Sequence, residues 1–65
     1  MIAVTRLNNS PLVINAELIK FVESTPDTMI TLTTGDRIIV KEPIEDVIRK
    51  VVEYGRILRR LVEPS

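Results

Sequence analysis

Residues 2–41 contain short apolar runs separated by clusters of turn-forming residues. The runs are rich in valine, isoleucine and threonine, which favour extended backbone. The clusters between them contain proline, glycine, asparagine and aspartate, which favour turns. This alternation predicts a series of short strands, with Pro26 and Gly35 marking two of the turns. The predicted strands are 2–7, 12–14, 18–23, 28–34 and 37–41.

The turn at Gly35 leaves the pairing of its two strands open. A two-residue loop that ends at Gly35 places Ile30 opposite Ile39, whereas a three-residue loop that ends there places Ile30 opposite Ile38. The first pairing makes both faces of the hairpin partly apolar. In that case a second structure would have to cover the outer face.

From Pro43 onward the hydrophobic period becomes helical. The change predicts a helix over 43–62, with Pro43 at its first position. Acidic residues follow the start and arginines lie near the end, as the helix dipole favours. Two ion pairs at i,i+4 spacing are expected along it, Glu45 with Arg49 and Asp46 with Lys50.

The apolar face of this helix is broader than one small sheet requires. Its residues recur at alternating steps of three and four, which is typical of a coiled-coil seam, and a second set widens the face to roughly half the circumference. We therefore expect one flank to pack on the sheet and the other on a second copy, in a homo-oligomer. The alternative is that the sheet curves enough to cover the whole face. The candidate oligomer interface is Ile44, Val47, Val51, Tyr54, Gly55, Leu58 and Leu61, and the face is widened by Ile48, Val52, Gly55 and Val62.

Length and composition favour one small α+β domain over 1–65. A chain of 65 residues is too short to divide into two cores. It has no cysteine or histidine, so neither a disulfide nor a zinc site can reinforce the fold, and oligomerisation is the remaining means. The expected fold is an antiparallel sheet of about four or five short strands with one C-terminal helix packed across it.

The balance between basic and acidic residues limits the classes of partner that the chain is expected to attract. Nine basic residues match nine acidic ones, so no overall field attracts nucleic acid or an anionic membrane. No apolar run approaches the roughly 20 residues of a membrane span, and no basic start precedes a long apolar run. We therefore expect a cytoplasmic protein.

Catalytic chemistry has few candidate groups. Without histidine and cysteine, neither a nucleophilic triad nor a dyad can be assembled. Asp27 and Asp36 lie in predicted turns, where carboxylates bond the local backbone, and the two glycines are too isolated for a phosphate-binding loop. We expect no catalytic residue, no cofactor and no metal, and hence a protein that is not an enzyme.

A basic cluster, RILRR at 56–60, suggests an alternative function. It could contact an acidic protein, lipid headgroups or RNA, or it could be a solvated helix end that suits the dipole. A membrane-inserted helix would uncover the sheet, and the strands offer only Phe21 for base stacking. The alternative that we retain is a small nucleic-acid-binding regulatory module using Arg49, Arg56, Arg59 and Arg60.

Four segments together resemble a known family. VTRLNN, INAELI, ESTPDTMITLTTGD and VKEPIEDVIRKVVEYGR occur in the order and spacing of the flagellar FlbD family of SwrD-like swarming motility proteins. The resemblance extends from Ile2 to about Arg56. Asn9 stands where the family commonly has glycine, Thr34 where asparagine is frequent, and Pro43 where a serine-like cap is usual.

The resemblance implies a non-enzymatic flagellar accessory protein that supports motility, helping the motor through protein contacts at or near its cytoplasmic face. Its expected partners are unidentified flagellar motor or export proteins. The residues that could contact a partner are Arg6, Asn8, Pro26 and Asp27, together with Arg56 and Arg60 of the basic cluster. The alternative is that the first four serve only the turns and strand ends.

Overall fold

A computed structural model of the chain describes the backbone of residues 1–62 and the side chains of residues 1–60. It has the predicted α+β arrangement, but its five strands divide between two antiparallel sheets instead of forming one. Strands β1 and β2 form a hairpin, and β3, β4 and β5 form a three-stranded sheet in that order. The elements are β1 (Ile2–Thr5), β2 (Pro11–Ile14), β3 (Ile19–Ser24), β4 (Thr28–Leu32), β5 (Arg37–Val40) and α1 (Ile44–Val62), with a 3-10 turn at Ala16–Leu18.

The first hairpin ends earlier than predicted. Strand β1 stops at Thr5 and not at Leu7, because Arg6 N–H donates to Ser10 O at 2.9 Å and the chain turns there. Asn9 adopts a φ of 70°, which asparagine tolerates better than most residues. Side chains alternate along β1, with Ile2 and Val4 buried and Ala3 exposed.

The 3-10 turn replaces the predicted start of the third strand. The Asn15 side chain accepts a hydrogen bond from Glu17 N–H at 3.1 Å, so it caps this turn, and β3 begins only at Ile19. A bulge in the pairing of β3 with β4 lies between Ile19 and Phe21. The loop to β4 contains a cis peptide bond between Thr25 and Pro26.

The turn at Gly35 takes the three-residue form. Leu32 N–H donates to Asp36 O at 2.8 Å, Gly35 N–H donates to Leu32 O at 2.9 Å, and Gly35 has a φ of 95°. Ile30 consequently lies opposite Ile38, and β4 ends at Leu32 instead of Thr34. Glycine suits this position because a positive φ is costly for side chains with a Cβ.

One core joins the two sheets and the helix. Arg6 forms an isolated bridge with Val40, and Lys41 N–H donates to Thr5 O at 2.8 Å. The end of β1 therefore lies beside the end of β5. The helix begins at Ile44, one residue after the predicted start, because the carbonyl of Pro43 accepts its first hydrogen bonds. The buried apolar residues are Ile2, Val4, Ile14, Ala16, Ile30, Val40 and Val47.

Candidate partner-binding surface

Strand pairing brings together the bases of two loops, Arg6–Ser10 and Thr25–Asp27, which we call the turn end. The bridge from Arg6 to Val40 continues across β5 to Thr28, which directly follows Asp27. Neighbouring strands are about 4.8 Å apart, so two strand spacings separate the bases of the two loops by about 10 Å. The four exposed residues Arg6, Asn8, Pro26 and Asp27 lie in these two loops, whose bases are near each other although they are far apart in the sequence.

The polar groups of the turn end differ in what they bond. Asn8 Oδ1 accepts from Ser10 N–H at 3.0 Å, so this side chain helps to form its own turn. Lys41 Nζ contacts Asn9 Oδ1, which ties the first loop to the end of β5. Among the described residues, neither Arg6 nor Asp27 takes part in an ion pair. These two side chains are charged groups that the fold itself does not use.

A carboxylate contact joins the segment after β5 to the end of β1. Glu42 Oε1 accepts from Thr5 N–H at 2.8 Å, and Glu42 Oε2 accepts from Thr5 Oγ1 at 2.9 Å. Burial raises the pKa of Glu42, but the hydrogen bonds from Thr5, together with one from its own backbone and the charge of Lys50, outweigh it, so the pKa lies below its usual value. We call this contact the Thr5–Glu42 clamp. The sequence contains no signal for it, because the two residues are 37 positions apart.

The helix runs back along β1 and carries its arginines away from the turn end. Glu42 contacts Thr5, Lys50 Nζ donates to Ala3 O at 2.9 Å, and Ile57 lines a groove with Met1. The last two turns therefore lie at the opposite end of β1 from the two loops. The six residues predicted to contact a partner form two separate groups, with exposed Arg56 and Arg60 in the second.

Two of the arginines considered for nucleic-acid binding form ion pairs within the helix. Arg49 Nη2 lies 3.1 Å from Asp46 Oδ1, and Arg56 Nη1 lies 3.5 Å from Glu53 Oε1. The predicted partners of Arg49 and Lys50 are wrong: Arg49 reaches Asp46 instead of Glu45, and Lys50 reaches a backbone carbonyl. Both pairs are exposed, so they contribute little to stability, but they offset the positive charge that nucleic acid would need.

The helix divides its apolar residues between two faces. Val47 is fully buried, Val51 and Tyr54 pack against the core, and Ile44 and Leu58 are half-buried. Three residues of the candidate oligomer interface therefore pack within their own chain, while Gly55 lies on the exposed side. The side chain of Leu61 lies outside the described residues. Exposed apolar residues that were not in the candidate interface are Ile48, Val52 and Ile57.

A groove of about 260 Å³ lies between the start of β1 and the helix. Its apolar walls include Met1 and Ile57, and three charged side chains line it. Each of the three has a partner: Arg49 bonds Asp46, Lys50 bonds Ala3 O, and Glu53 bonds Arg56. Within the part of the chain that the structure describes, no group of three potential metal ligands occurs.

The threonines of the second hairpin have separate structural positions. Thr28 and Thr31 are buried, whereas Thr33 is exposed. Thr34 Oγ1 donates to Asp36 Oδ2 at 2.7 Å, so the carboxylate serves the local turn as expected. Thr31 Oγ1 has no hydrogen-bond partner among the described residues. These side chains therefore do not converge on one ligand.

Comparison with known families supplies the biological setting. The model of the FlbD family, described as flagellar and swarming motility proteins, matches residues 1–58. The chain belongs to the FlbD family. The resemblance carried by its four segments is thereby confirmed, and membership indicates a role related to flagellar or swarming motility. No curated protein and no solved structure matches the chain.

The match to the FlbD family includes both loops of the turn end, the Thr5–Glu42 clamp and most of the helix. None of the helical residues described is part of a segment long and apolar enough to cross a membrane.

Proposed function

We propose that this FlbD-family protein is a non-enzymatic accessory of the flagellar motor that acts through protein contacts at the motor's cytoplasmic face. The observation that supports it best is the turn end, where Arg6 and Pro26 come from two different segments of the family resemblance, are both exposed, and belong to loops whose bases are near each other. Surface loops held by a rigid scaffold are common sites of recognition.

The charges of the turn end indicate the kind of partner. Arg6 supplies a guanidinium and Asp27 a carboxylate, and both are exposed. Such a surface favours a partner that presents an acidic and a basic group with matching separation. The Thr5–Glu42 clamp attaches the end of β1, from which the first loop leaves, to the segment that follows β5, so this loop has a fixed base before binding.

The test replaces one charge at the turn end and an equivalent charge elsewhere. Asp27→Lys should reduce motility in a strain that carries this variant as its only copy, with a melting temperature within about 2 °C of the unmodified protein, because exposed substitutions change stability little. The matched control is Glu17→Lys. Glu17 is exposed and lies beside Leu18, whose carbonyl accepts from Thr33 N–H at 2.7 Å at the far end of β4.

Both variants change the net charge by the same amount, so a difference in motility between them reflects the position of the substitution. Normal motility with Asp27→Lys would refute a role for the turn end, and an equal loss of motility and stability would show that Asp27 is structural. A pull-down from motile cells adds the partner's class. Recovery of motor or export proteins supports the proposal, whereas recovery of nucleic acid alone would replace it with the alternative function.

A further inference from the structure

The outer stripe, defined as Ile48, Val52 and Gly55 with Arg59 at its end, is an unpartnered face of α1. Ile48 is 52% exposed and Val52 is 46% exposed. These positions follow at steps of four, three and four residues, so at about 100° per residue they occupy one narrow strip of the helix. The strip lies roughly 100° around the helix from Val47, the side chain that enters the core.

Gly55 shows that close approach is available on this strip. A Cβ built on Gly55 would meet no atom within 4 Å outside its own stretch of helix, and the residue has no positive φ. The fold of one chain therefore gives no reason for glycine, which destabilises a helix interior by about 1 kcal/mol relative to alanine. Glycine does allow the backbone of a second helix to come near.

We propose that two copies of this chain associate through the outer stripe, with their α1 helices antiparallel. This inference is independent of the proposed motor function, because it rests on the helix alone. It keeps Gly55 from the candidate interface expected from periodicity and adds Ile48 and Val52, two of the residues that widen that face. The contact would be isologous, since each copy presents the same strip.

Charge along the helix favours a second copy in the antiparallel orientation. The first turn carries Glu45 and Asp46, and the last turn carries Arg59 and Arg60. A parallel pair would place like charges beside each other at both ends. An antiparallel pair places the acidic start of each helix beside the basic end of the other and opposes the two helix dipoles.

The residue spacing fits a two-fold axis that passes between Val52 and Gly55. Val52 of one copy then lies over Gly55 of the other, where the absence of a side chain leaves room. Ile48 lies along the aliphatic stem of the other copy's Arg59. The guanidinium of that arginine points toward Glu45, which is one turn before Ile48 on the same side. The apolar contacts, the space left at Gly55 and the charge pairing therefore all favour the same alignment of the two helices.

Sedimentation of the full chain tests the association. We expect a dimer at micromolar concentration, and we expect Val52→Arg to weaken it by more than about a hundredfold, since the change occurs twice in a symmetric contact. The matched control is Ile57→Arg, at a side chain that is 56% exposed but about 170° around the helix from the outer stripe. The control should remain dimeric.

Cross-linking tests the orientation, and the natural chain has no cysteine to interfere. Val52→Cys should form a disulfide with itself across the two-fold axis. Ile48→Cys should not, because the antiparallel alignment separates its two copies by about 16 Å along the axis. A mixture of Ile48→Cys and Arg59→Cys should form the mixed disulfide.

Three results would overturn the proposal. They are a monomer throughout the micromolar range, equal dissociation by Val52→Arg and Ile57→Arg, and efficient self-cross-linking of Ile48→Cys, which indicates a parallel pair. If the outer stripe recovers a different protein from cells while the purified chain stays monomeric, the occupant is that protein and the proposal is wrong. Far-UV circular dichroism of each variant establishes that it is folded, so every outcome is informative.

Discussion

Replacement of Glu42 by alanine removes the two hydrogen bonds that its carboxylate accepts from Thr5 at the end of β1. Glu42→Ala deletes both carboxylate oxygens of the Thr5–Glu42 clamp. The contact Lys41 N–H to Thr5 O remains, because it is made by the backbone. The variant thus weakens the attachment of the first hairpin to the second sheet without changing the core.

The magnitude follows from the two lost bonds. Hydrogen bonds to a charged group contribute about 1.5–3 kcal/mol each, but Thr5 and Glu42 are half-buried, so water can replace part of the contact. The two bonds together should therefore contribute less than the sum of their full values, and we expect Glu42→Ala to lower the free energy of unfolding by about 2 kcal/mol. For a domain of this size the melting temperature should fall by about 8–16 °C.

The pH dependence tests the charge of the clamp. The pKa of Glu42 is lowered in the folded protein, so its contribution is fully present above the unfolded pKa of about 4.3 and is lost as pH falls through the lower folded value. Glu42→Gln keeps the shape but not the charge. The difference in melting temperature between the natural chain and Glu42→Gln should therefore be present at neutral pH and shrink as the solution is acidified below about pH 4.

The assay is thermal unfolding followed by circular dichroism, at one protein concentration because self-association would shift the transition. The control is Glu17→Ala, at an exposed glutamate outside the clamp. A fall of less than about 2 °C for Glu42→Ala would refute the clamp as a stabilising contact. A Glu42→Gln difference that persists unchanged in acid would refute the role of the charge.

Three further substitutions test the second hairpin. Ile30→Ala should cost about 2–5 kcal/mol in urea unfolding because Ile30 is fully buried, and Ile39→Ala should cost far less because Ile39 is 42% exposed; equal costs would show that the register at Gly35 is wrong. Thr31→Val keeps the side-chain shape and removes a buried hydroxyl that has no partner, so the melting temperature should rise by a few degrees, about 1 kcal/mol. A fall would mean that the hydroxyl is hydrogen-bonded.

As with the fold, part of the candidate site could be predicted from short segments of the sequence, and part of it depends on contacts between distant residues. Arg6, Asn8, Pro26 and Asp27 could be chosen from turn chemistry and the resemblance, since each lies in a short polar segment. The two loops that carry these residues have neighbouring bases because of the bridge between Arg6 and Val40, which joins distant parts of the chain. No spacing in the sequence indicates that pairing.

For the helix, periodicity predicted both its existence and its apolar width. It could not decide which apolar residues enter the core, because Val47 and Ile48 are adjacent in sequence and both belong to the broad face. Contact with the sheets made that choice, burying Val47 and leaving Ile48 exposed. The predicted interface therefore contained several residues that the chain uses for its own packing.

The sequence by itself determined the five strands and the helix, since the period of the apolar residues and the positions of the turn residues are local features of the chain. Tertiary structure alone decided that the strands divide into two sheets, that Ile30 lies opposite Ile38, and that Glu42 holds Thr5. These features depend on contacts between distant residues. Such contacts are selected by the packing of the whole chain, which no short segment contains.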